Sequence, residues 1–546
     1  MTDLKVKIKE YWQLIILIII GLVFVFIYSY LAYSLPTSYQ QPDKLVLNSP
    51  DETSNLFFAR LFAEEGELRF KDSANILADD LVSPRSMRVI NSYTVPASFL
   101  GMPIIYGLIA KLTDLKVIPF ITPIIGATGL IFFYFLIVEI FNKKTALISS
   151  LLAFIVPGFW YYAGKSLMPN VAFLSFFIIA FYFLIRALKN KKIWSYIFLG
   201  FFLALSLMIR TSEVVWIFPL FIAIALVNLK EIRWPKALLS VIIFLIVFSP
   251  IFFFNQQIYG TPLSVGYSLK IDFNQGDVLG QSLSLAEQIF LPFGFNPALA
   301  LKNLYNYTFR LFPFWTVLIL ASFLIFILRL IFDRKDFKVR LFYLVLFLFI
   351  SGYLAVYYGS WQFHDHPDPN AVTIGTSYIR YWLPIYIFSL PAVGWTLTWF
   401  FKGRPVVMFI LTAYLFLSLG FGSYELVMLD REEGLVRVKE NLKTYQQIAK
   451  GVFDRTQENS IIVAESMDKV FFPDRRVIYK LNNQLDYDRI KKLIAGGYPV
   501  YYFHFTKSQP DLDYLNNNVF LGYGLAISQS LIDFGNQSLY RFEPAL

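Results

Sequence analysis

Residues 11–33 read YWQLIILIIIGLVFVFIYSYLAY, an apolar run that follows the basic segment Lys5-Val6-Lys7-Ile8-Lys9. About 20 predominantly apolar residues are enough to cross the hydrocarbon core of a bilayer as an α-helix. The run is too long for the apolar region of a signal peptide, and no small-residue cleavage site follows it. We therefore expect a retained first transmembrane helix.

The rest of the chain has the same character. Of its 546 residues, 57% are hydrophobic and 16% are charged, and the mean hydropathy is +0.55. Soluble proteins carry about 25% charged residues, so this composition predicts an α-helical multi-pass membrane protein. The chain has no cysteine, which excludes disulfides. Its net charge of +10 lies mostly in short loops between apolar runs, so no nucleic-acid partner is expected.

The apolar runs predict a bundle of about 11 transmembrane helices. They lie at about 11–33, 118–141, 145–162, 171–188, 193–209, 214–229, 236–254, 311–330, 341–358, 381–400 and 405–424. With the basic N-terminus in the cytoplasm, alternation places every Lys- and Arg-rich short connection inside, as the positive-inside rule requires. If Val95 to Leu112 crossed the membrane, every later connection would change sides and the basic connections would lie outside. We therefore expect an interfacial or re-entrant helix there.

The same topology places the long connections outside, including the first extracytoplasmic loop at residues 34–117. Residues 1–425 then form the transmembrane domain, and residues 426–546 form an extracytoplasmic α/β domain. In that domain we predict helices at 433–454 and 487–496 and strands at 460–464, 476–479 and 498–503. It has no Gly-rich phosphate loop, so a nucleotide site is not expected.

Two adjacent carboxylates, Asp51 and Glu52, lie on the first loop in the sequence PDETSNLFFAR, residues 50–60. A carboxylate next to a membrane can act as a general base on a hydroxyl group. The alternative is an ordinary pair at the start of a helix beginning near Thr53, where acidic residues favour the helix dipole. The residues by themselves leave both interpretations open.

Several motifs, taken in their order along residues 11–425, resemble those of GT-C glycosyltransferases. The resemblance is to the protein mannosyltransferase and aminoarabinose transferase superfamily, whose members transfer a sugar from a polyprenyl-phosphate carrier to an acceptor outside the membrane. The motifs are Asp51-Glu52 with Asn55, Ala59, Leu61 and Gly66; Pro96 to Leu112; Phe141 to Leu147; Tyr161 to Asn170; Leu207 to Thr211 before Phe218-Pro219; and Ile379 to Pro384.

The resemblance implies a GT-C-like fold in the plasma membrane and an inverting single displacement with Asp51 as the catalytic base. Glu52 would adjust the acidity of the pair by charge repulsion or orient the acceptor. The acceptor would be a protein, another lipid or a polysaccharide.

Four further residues are candidates for binding the lipid phosphate of the donor: Lys165, Arg210, Arg380 and Tyr381. The three cations are predicted to lie outside near span ends, where a lipid phosphate needs them. Tyr381 could hydrogen-bond the same phosphate, although tyrosines are also common at membrane interfaces. The alternative is that the cations extend to lipid head groups.

Two departures from the superfamily are visible, at Asn170 and Arg210. Asn170 stands in the second outer loop where many members carry an acid, and an amide cannot act as a base. Arg210 stands where many members have Lys. The arginine keeps the positive charge and can bind a phosphate through two hydrogen bonds. A Trp-Trp-Asp motif is missing from the sequence, which argues against an oligosaccharyltransferase.

A metal site is the weaker interpretation of the segment His364-Asp365-His366-Pro367-Asp368. His364, Asp365 and His366 are possible ligands, but their spacing matches no established zinc pattern, and we favour a solvated loop without a cofactor. Lys71, Arg85 and Arg88 are weak additional candidates for the phosphate.

A transporter or flippase of lipid-linked sugars and a catalytically inactive scaffold are the alternative functions. A transporter would place charges in the middle of its spans. Here Glu139 lies near an inner end, and Arg210 and Glu213 lie near an outer one, so the sequence favours an enzyme.

Overall fold

The computed structural model describes residues 2–38, 40, 44–266, 289–333 and 336–545. It divides into two compact units, each assembled from separate parts of the chain. Unit 1 contains Met1–Ala32, Pro119–Pro250 and Asp272–Arg437. Unit 2 contains Tyr33–Ile118, Ile251–Ile271 and Val438–Leu546. The first loop and the C-terminal residues therefore belong to one unit.

In chain order, the α-helices are α1 Thr2–Tyr28, α2 Pro50–Glu65, α3 Ser73–Leu77, α4 Gly101–Leu112, α5 Ile118–Ile140, α6 Lys143–Phe154, α7 Pro157–Gly164, α8 Pro169–Asn190, α9 Ile193–Ile209, α10 Val214–Val227, α11 Trp234–Tyr259, α12 Pro297–Tyr305, α13 Pro313–Phe332, α14 Phe337–Gly359, α15 Ser377–Tyr381, α16 Leu383–Phe400, α17 Pro405–Tyr424, α18 Leu435–Phe453, α19 Asp468–Phe471, α20 Gln484–Ala495 and α21 Gln509–Tyr514. The strands are β1 Phe70–Lys71, β2 Met87–Ile90, β3 Tyr93–Pro96, β4 Ile461–Val463, β5 Arg476–Ile478, β6 Val500–Phe505, β7 Leu525–Ile527, β8 Ile532–Asp533 and β9 Gln537–Pro544.

The predicted multi-pass helical architecture is confirmed. Within the described ranges, eight helices are long and apolar enough to cross a membrane, or ten if each of two bent pairs counts as one span. The prediction of about 11 counted 193–209 and 214–229 separately. In the structure these runs form α9 and a helical segment at Thr211–Val227. The chain bends by 118° between the two, so it turns back there.

The segment that we expected not to span is a short helix. Helix α4 has 12 residues, and at 1.5 Å per residue it is about 18 Å long, well under the ~30 Å of a hydrocarbon core. It packs on α2 at close range, because a Cβ added to Gly107 would lie 2.6 Å from the backbone oxygen of Ala59.

Unit 1 is held together by close helix packing at small residues. A Cβ on Gly200 of α9 would collide with the backbone of Ser240 on α11, and one on Gly394 of α16 would collide with Ser149 on α6. Small residues let helix backbones approach within a membrane, where there is little hydrophobic drive between helices. The charge that lies near a span end, Glu139, is neutralised by Arg186 at 2.9 Å and Lys189 at 3.2 Å.

Unit 2 contains the predicted α/β region. Strands β4, β5 and β6 pair in parallel and β9 joins β6 antiparallel, in the order β5-β4-β6-β9-β7 with β8 on β9. The core of this sheet also includes Ala74, Ala78 and Val82 from the first loop. A second, antiparallel sheet of order β1-β3-β2 lies in the first loop itself. The first loop and the C-terminal residues thus share a hydrophobic core.

Candidate functional site

Arg210 lies at the turn between α9 and α10 in unit 1. Its backbone, at φ −142° and ψ 84°, leaves the helical region and ends α9. The side chain is only 6% exposed. Its Nε donates to Oε1 of Glu213 at 2.8 Å, and its Nη2 donates to the hydroxyl of Tyr358 at 2.9 Å. The turn therefore places a buried, hydrogen-bonded guanidinium at the end of α9.

Glu213 supplies the counter-charge for Arg210. Besides the guanidinium, it accepts the Tyr358 hydroxyl at 2.6 Å and the indole N–H of Trp216 at 2.5 Å. A buried charge is tolerated only when it is paired and hydrogen-bonded, and this carboxylate meets both conditions. Glu213 thereby fixes the orientation of the guanidinium.

The aromatic ring of Tyr381 connects Arg210 with Arg380. The guanidinium carbon of Arg210 lies 4.8 Å from the ring centroid, and that of Arg380 lies 5.1 Å from it. Both distances are within the range of a cation–π interaction. Tyr358 also stacks on this ring, with centroids 4.3 Å apart. The structure thus brings together three of the residues that the sequence proposed for the phosphate: Arg210, Arg380 and Tyr381.

Arg380 is held on its own helix and by the loop before α8. Its Nη2 donates to Oγ of Ser377 at 2.9 Å, and its Nη1 lies 3.0 Å from Sδ of Met168. Oγ of Ser377 donates in turn to Oδ1 of Asp365 at 3.0 Å. Ser377 and Met168 therefore hold this guanidinium next to the ring of Tyr381.

Lys165 and Asn170 flank Met168 in sequence. Lys165 is 7% exposed, and its ammonium lies 5.8 Å from the ring centroid of Tyr161. Asn170 is in the first turn of α8 and is 3% exposed. Its Oδ1 is buried without a hydrogen-bond partner among the described residues. Both residues lie on the segment that reaches Arg380 through Met168.

An apolar cavity of about 480 Å³ lies within unit 1. It is bounded by α12, α13, α14, α16 and the start of α7, and its walls are mainly aliphatic and aromatic. Ala355 on α14 and Ile385 on α16 are among the lining residues. Ala355 lies one helical turn from Tyr358, and Ile385 follows Tyr381 by four residues. The cavity therefore shares helix α14 with Tyr358, and it lies against α16, the helix that follows Tyr381.

Asp51 and Glu52 belong to unit 2, in the first turn of α2. Ser49 caps this helix and Pro50 occupies its first position, which explains why the helix begins here. Oδ1 of Asp51 accepts the Ser86 hydroxyl at 2.6 Å, while Glu52 is buried at 3% exposure. Two acids in a first turn suit the helix dipole, so the structure leaves the structural interpretation open beside the catalytic one.

The weaker phosphate candidates of the first loop have other neighbours. Arg85 donates from Nε and Nη2 to the buried carboxylate of Asp468, at 3.0 and 2.6 Å. The ammonium of Lys71 lies 6.0 Å from the ring centroid of Tyr93. Arg88 lies on β2 opposite Val95. Arg85 therefore stabilises the contact between the first loop and the C-terminal residues.

The residues at 364–368 form a hydrogen-bonded loop. In the part of the chain that the structure describes, no three His, Cys, Asp or Glu side chains lie together as a metal site would require. Oδ2 of Asp365 accepts the backbone N–H of Ser377 at 2.6 Å. Nδ1 of His366 accepts the backbone N–H of Asp368 at 3.0 Å, and its Nε2 lies 3.7 Å from Glu432.

Sequence reasoning missed three residues that organise this cluster: Glu213, Tyr358 and Ser377. Glu213 follows Arg210 by three residues, a spacing at which charges of opposite sign often pair, and that signal was available. Tyr358 is 148 residues from Arg210, and no local pattern connects them.

The sequence model of the dolichyl-phosphate-mannose-protein mannosyltransferase family matches residues 100–254. Among solved structures, ArnT from Cupriavidus metallidurans, bound to undecaprenyl phosphate, superposes with a TM-score of 0.53 at 10% identity, covering 97% of this chain and 98% of that chain. The oligosaccharyltransferase of Archaeoglobus fulgidus, tethered with an acceptor peptide, gives 0.51 at 12% identity, covering 93% and 70%. No curated protein matches the sequence.

At these identities the structural matches show the fold. Together with the family match, they confirm the resemblance found in the sequence: the chain is a multi-pass membrane protein with the fold of the GT-C membrane glycosyltransferases.

Proposed function

We propose that this GT-C-fold protein transfers a sugar from a polyprenyl-phosphate carrier to an acceptor outside the membrane, by an inverting single displacement. The observation that carries the proposal is the pair of guanidinium groups, Arg210 and Arg380, on the ring of Tyr381. Arginines bind phosphate through charge-assisted and often bidentate hydrogen bonds. The ArnT structure, which shares this fold, contains a lipid phosphate of the same class.

The two arginines have different roles in this proposal. Arg210 is already neutralised by Glu213, so it contributes oriented N–H groups and little net charge. Arg380, which contacts Ser377 and Met168, is proposed to bind the phosphate directly through its guanidinium. Lys165, buried on the segment that ends at Met168, is the third cation that we propose for the phosphate.

The apolar cavity supports a lipid-linked donor. Its lining is almost entirely hydrocarbon, and it includes Ala355, one helical turn from Tyr358, and Ile385, four residues after Tyr381. A prenyl chain that comes from the bilayer gains little hydrophobic free energy there, so an apolar cavity would hold it by close van der Waals packing. We therefore propose that the cavity holds the part of the prenyl chain nearest the phosphate, and that the prenyl chain enters it sideways from the bilayer.

Asp51 is the proposed catalytic base. The acceptor oxygen attacks C1 of the sugar, the bond from C1 to the phosphate oxygen breaks, and the lipid phosphate leaves with that electron pair. Asp51 takes the proton that the acceptor hydroxyl loses. The Ser86 hydroxyl, 2.6 Å from Oδ1, orients the carboxylate. Glu52, buried beside it, is proposed to orient the acceptor.

The protein itself would lie in the cell membrane, with its N-terminus in the cytoplasm and its C-terminal region outside.

The test is transfer from a panel of radiolabelled polyprenyl-phosphate sugars in membranes, comparing the wild type with Asp51→Asn. The amide keeps the size of the side chain and removes the base. We expect a loss of roughly a hundredfold or more in rate, the usual contribution of general base catalysis. Glu64→Gln, which removes a half-exposed acid from the other end of α2, is the control and should leave the rate unchanged.

Transfer that survives Asp51→Asn would remove Asp51 from the mechanism and leave the donor class standing. A wild type that uses no donor in the panel, with protein, lipid and polysaccharide acceptors all supplied, would contradict the enzymatic proposal. Movement of a lipid-linked sugar across vesicles without transfer would then favour a flippase.

A further inference from the structure

We infer that Asp365 is a positioning residue for Arg380, and that it acts through the hydroxyl of Ser377. This inference rests on the proposed phosphate-binding role of Arg380. It gives a function to a carboxylate that the sequence offered only as a weak metal ligand, and it adds Ser377 to the donor site.

The geometry fixes the direction of each hydrogen bond. A serine hydroxyl has one hydrogen, and a guanidinium only donates. Nη2 of Arg380, 2.9 Å from Oγ of Ser377, must therefore donate to it. The single hydroxyl hydrogen is left for Oδ1 of Asp365 at 3.0 Å. The three groups form one chain of hydrogen bonds that runs from the guanidinium through the hydroxyl to the carboxylate, and it cannot be reversed because a guanidinium does not accept.

Asp365 also fixes the helix that carries Arg380. Its Oδ2 accepts the backbone N–H of Ser377, the first residue of α15, at 2.6 Å. Helix N-termini have N–H groups without a partner in the helix, and a carboxylate there stabilises the first turn. Arg380 follows Ser377 by one turn on a helix of five residues. The carboxylate therefore sets both the start of the helix and the rotamer of its arginine.

The segment before α15 is held independently of Asp365. Glu433 accepts hydrogen bonds from the backbone of Gly375 at 2.8 Å and from the Thr373 hydroxyl. The hydroxyl of Tyr162 donates to the carbonyl oxygens of Gly375 and Thr376 at 2.7 and 2.9 Å. Removing the Asp365 carboxylate should consequently loosen Arg380 and leave the loop and the fold in place.

The contacts of Asp365 also argue against the metal interpretation. Both of its oxygens are directed at Ser377. The imidazole of His366 is directed at the backbone of Asp368 and at Glu432. A metal at this loop would have to displace these hydrogen bonds, whereas a positioning role uses them as they are.

The experiment measures binding of farnesyl phosphate, a short prenyl phosphate, to the full-length protein in nanodiscs. The variants are Asp365→Asn, Ser377→Ala, Arg380→Gln and the double variant Asp365→Asn/Arg380→Gln. Asp368→Asn is the matched control, since it removes another exposed acid of the same loop, one that accepts the N–H of Asn370. Each titration is repeated with EDTA.

We expect Asp365→Asn and Ser377→Ala each to weaken binding by about three- to tenfold, the size of one or two lost hydrogen bonds. In the Arg380→Gln background the further effect of Asp365→Asn should vanish, because a positioning residue has nothing left to position. Asp368→Asn and EDTA should change nothing.

Equal effects of Asp365→Asn with and without Arg380 would overturn the inference, as would a loss reproduced by Asp368→Asn or by EDTA. If Asp365→Asn binds farnesyl phosphate as tightly as the wild type, this inference is wrong and the proposed function is unaffected. A wild type that does not bind farnesyl phosphate removes the proposed phosphate role of Arg380, and the inference with it.

Discussion

The guanidinium of Arg210 and the carboxylate of Glu213 form an ion pair of 2.8 Å in which both side chains are less than a tenth exposed. Tyr358 completes a triangle with them, because its hydroxyl accepts from the arginine and donates to the glutamate. A pair of this kind brings two opposite charges out of water together, and each is tolerated because of the other.

Replacing Glu213 by Gln should therefore destabilise the protein. The variant leaves a buried arginine uncompensated, which costs about 3–5 kcal/mol in comparable pairs. Thermal unfolding in detergent measures the change. Glu231→Gln removes an exposed partner of Lys191 and should cost less than about 1 kcal/mol. Equal melting temperatures for the two variants would show that Glu213 is not needed as a counter-charge.

Tyr381 should contribute through its ring. Tyr381→Phe keeps the face that the two guanidinium groups contact, so its affinity for farnesyl phosphate should match that of the wild type. Tyr381→Leu removes the face that both guanidinium groups contact, and we expect affinity to fall by about threefold to thirtyfold, the range of cation–π energies. If Phe is as weak as Leu, the hydroxyl group is the functional part and this prediction is wrong.

Gly352 offers a test of the cavity. It is among the lining residues, and a Cβ built on it meets nothing within 4 Å. Gly352→Leu should fold and partly fill the cavity, while Gly352→Ala should behave as the wild type. Affinity for undecaprenyl phosphate should fall roughly tenfold in the Leu variant, because forcing extra side-chain volume into an occupied apolar site costs about 1–3 kcal/mol. An unchanged affinity would place the prenyl chain elsewhere.

The stability of unit 2 should fall in acid because of His504. Burial, with a smaller contribution from Lys507, lowers the pKa of this imidazole below its usual 6.5. Below about pH 6.5 the unfolded chain takes up a proton that the folded state resists, so stability is complete above that pH and declines as the pH falls. Unfolding followed by limited proteolysis between pH 8 and 5 measures this decline.

His504→Gln should flatten that pH dependence, whereas His364→Gln, a histidine replacement outside unit 2, should preserve it. A His504→Gln variant with the wild-type slope would assign the acid sensitivity to other groups.

Hydrophobic patterning predicted most of the fold, because apolar runs of span length have few alternatives to a transmembrane helix. The α/β region was also predicted: the strand expected at 498–503 is β6, at Val500–Phe505. The small sheet of the first loop was not predicted, since β1 has two residues and four-residue strands carry little periodicity. Segments that short depend on their pairing partners.

Sequence reasoning predicted the charged residues of the candidate site but not the residues that hold them in place. Arg210 and Arg380 were identified because cations at the predicted outer ends of spans are uncommon. The role of Asp365 depends on Ser377, twelve residues away, and on the rotamer of Arg380, which no sequence pattern specifies. Asp51 stays a prediction from the resemblance, since a first-turn acid satisfies a helix whether or not it is a base.

The contact between Arg85 and Asp468 has a consequence for biogenesis. These residues are 383 positions apart, and at about 5–20 residues per second a ribosome needs roughly 20 to 80 s to supply the second after the first. During that interval the first loop has no C-terminal sheet to cover Ala74 and Ala78. Apolar surface that is exposed during synthesis is prone to aggregation, and here it stays exposed until the strands from β4 onward are made. A chain that stops before β4 would leave that loop without its partner and make it a substrate for quality-control proteases.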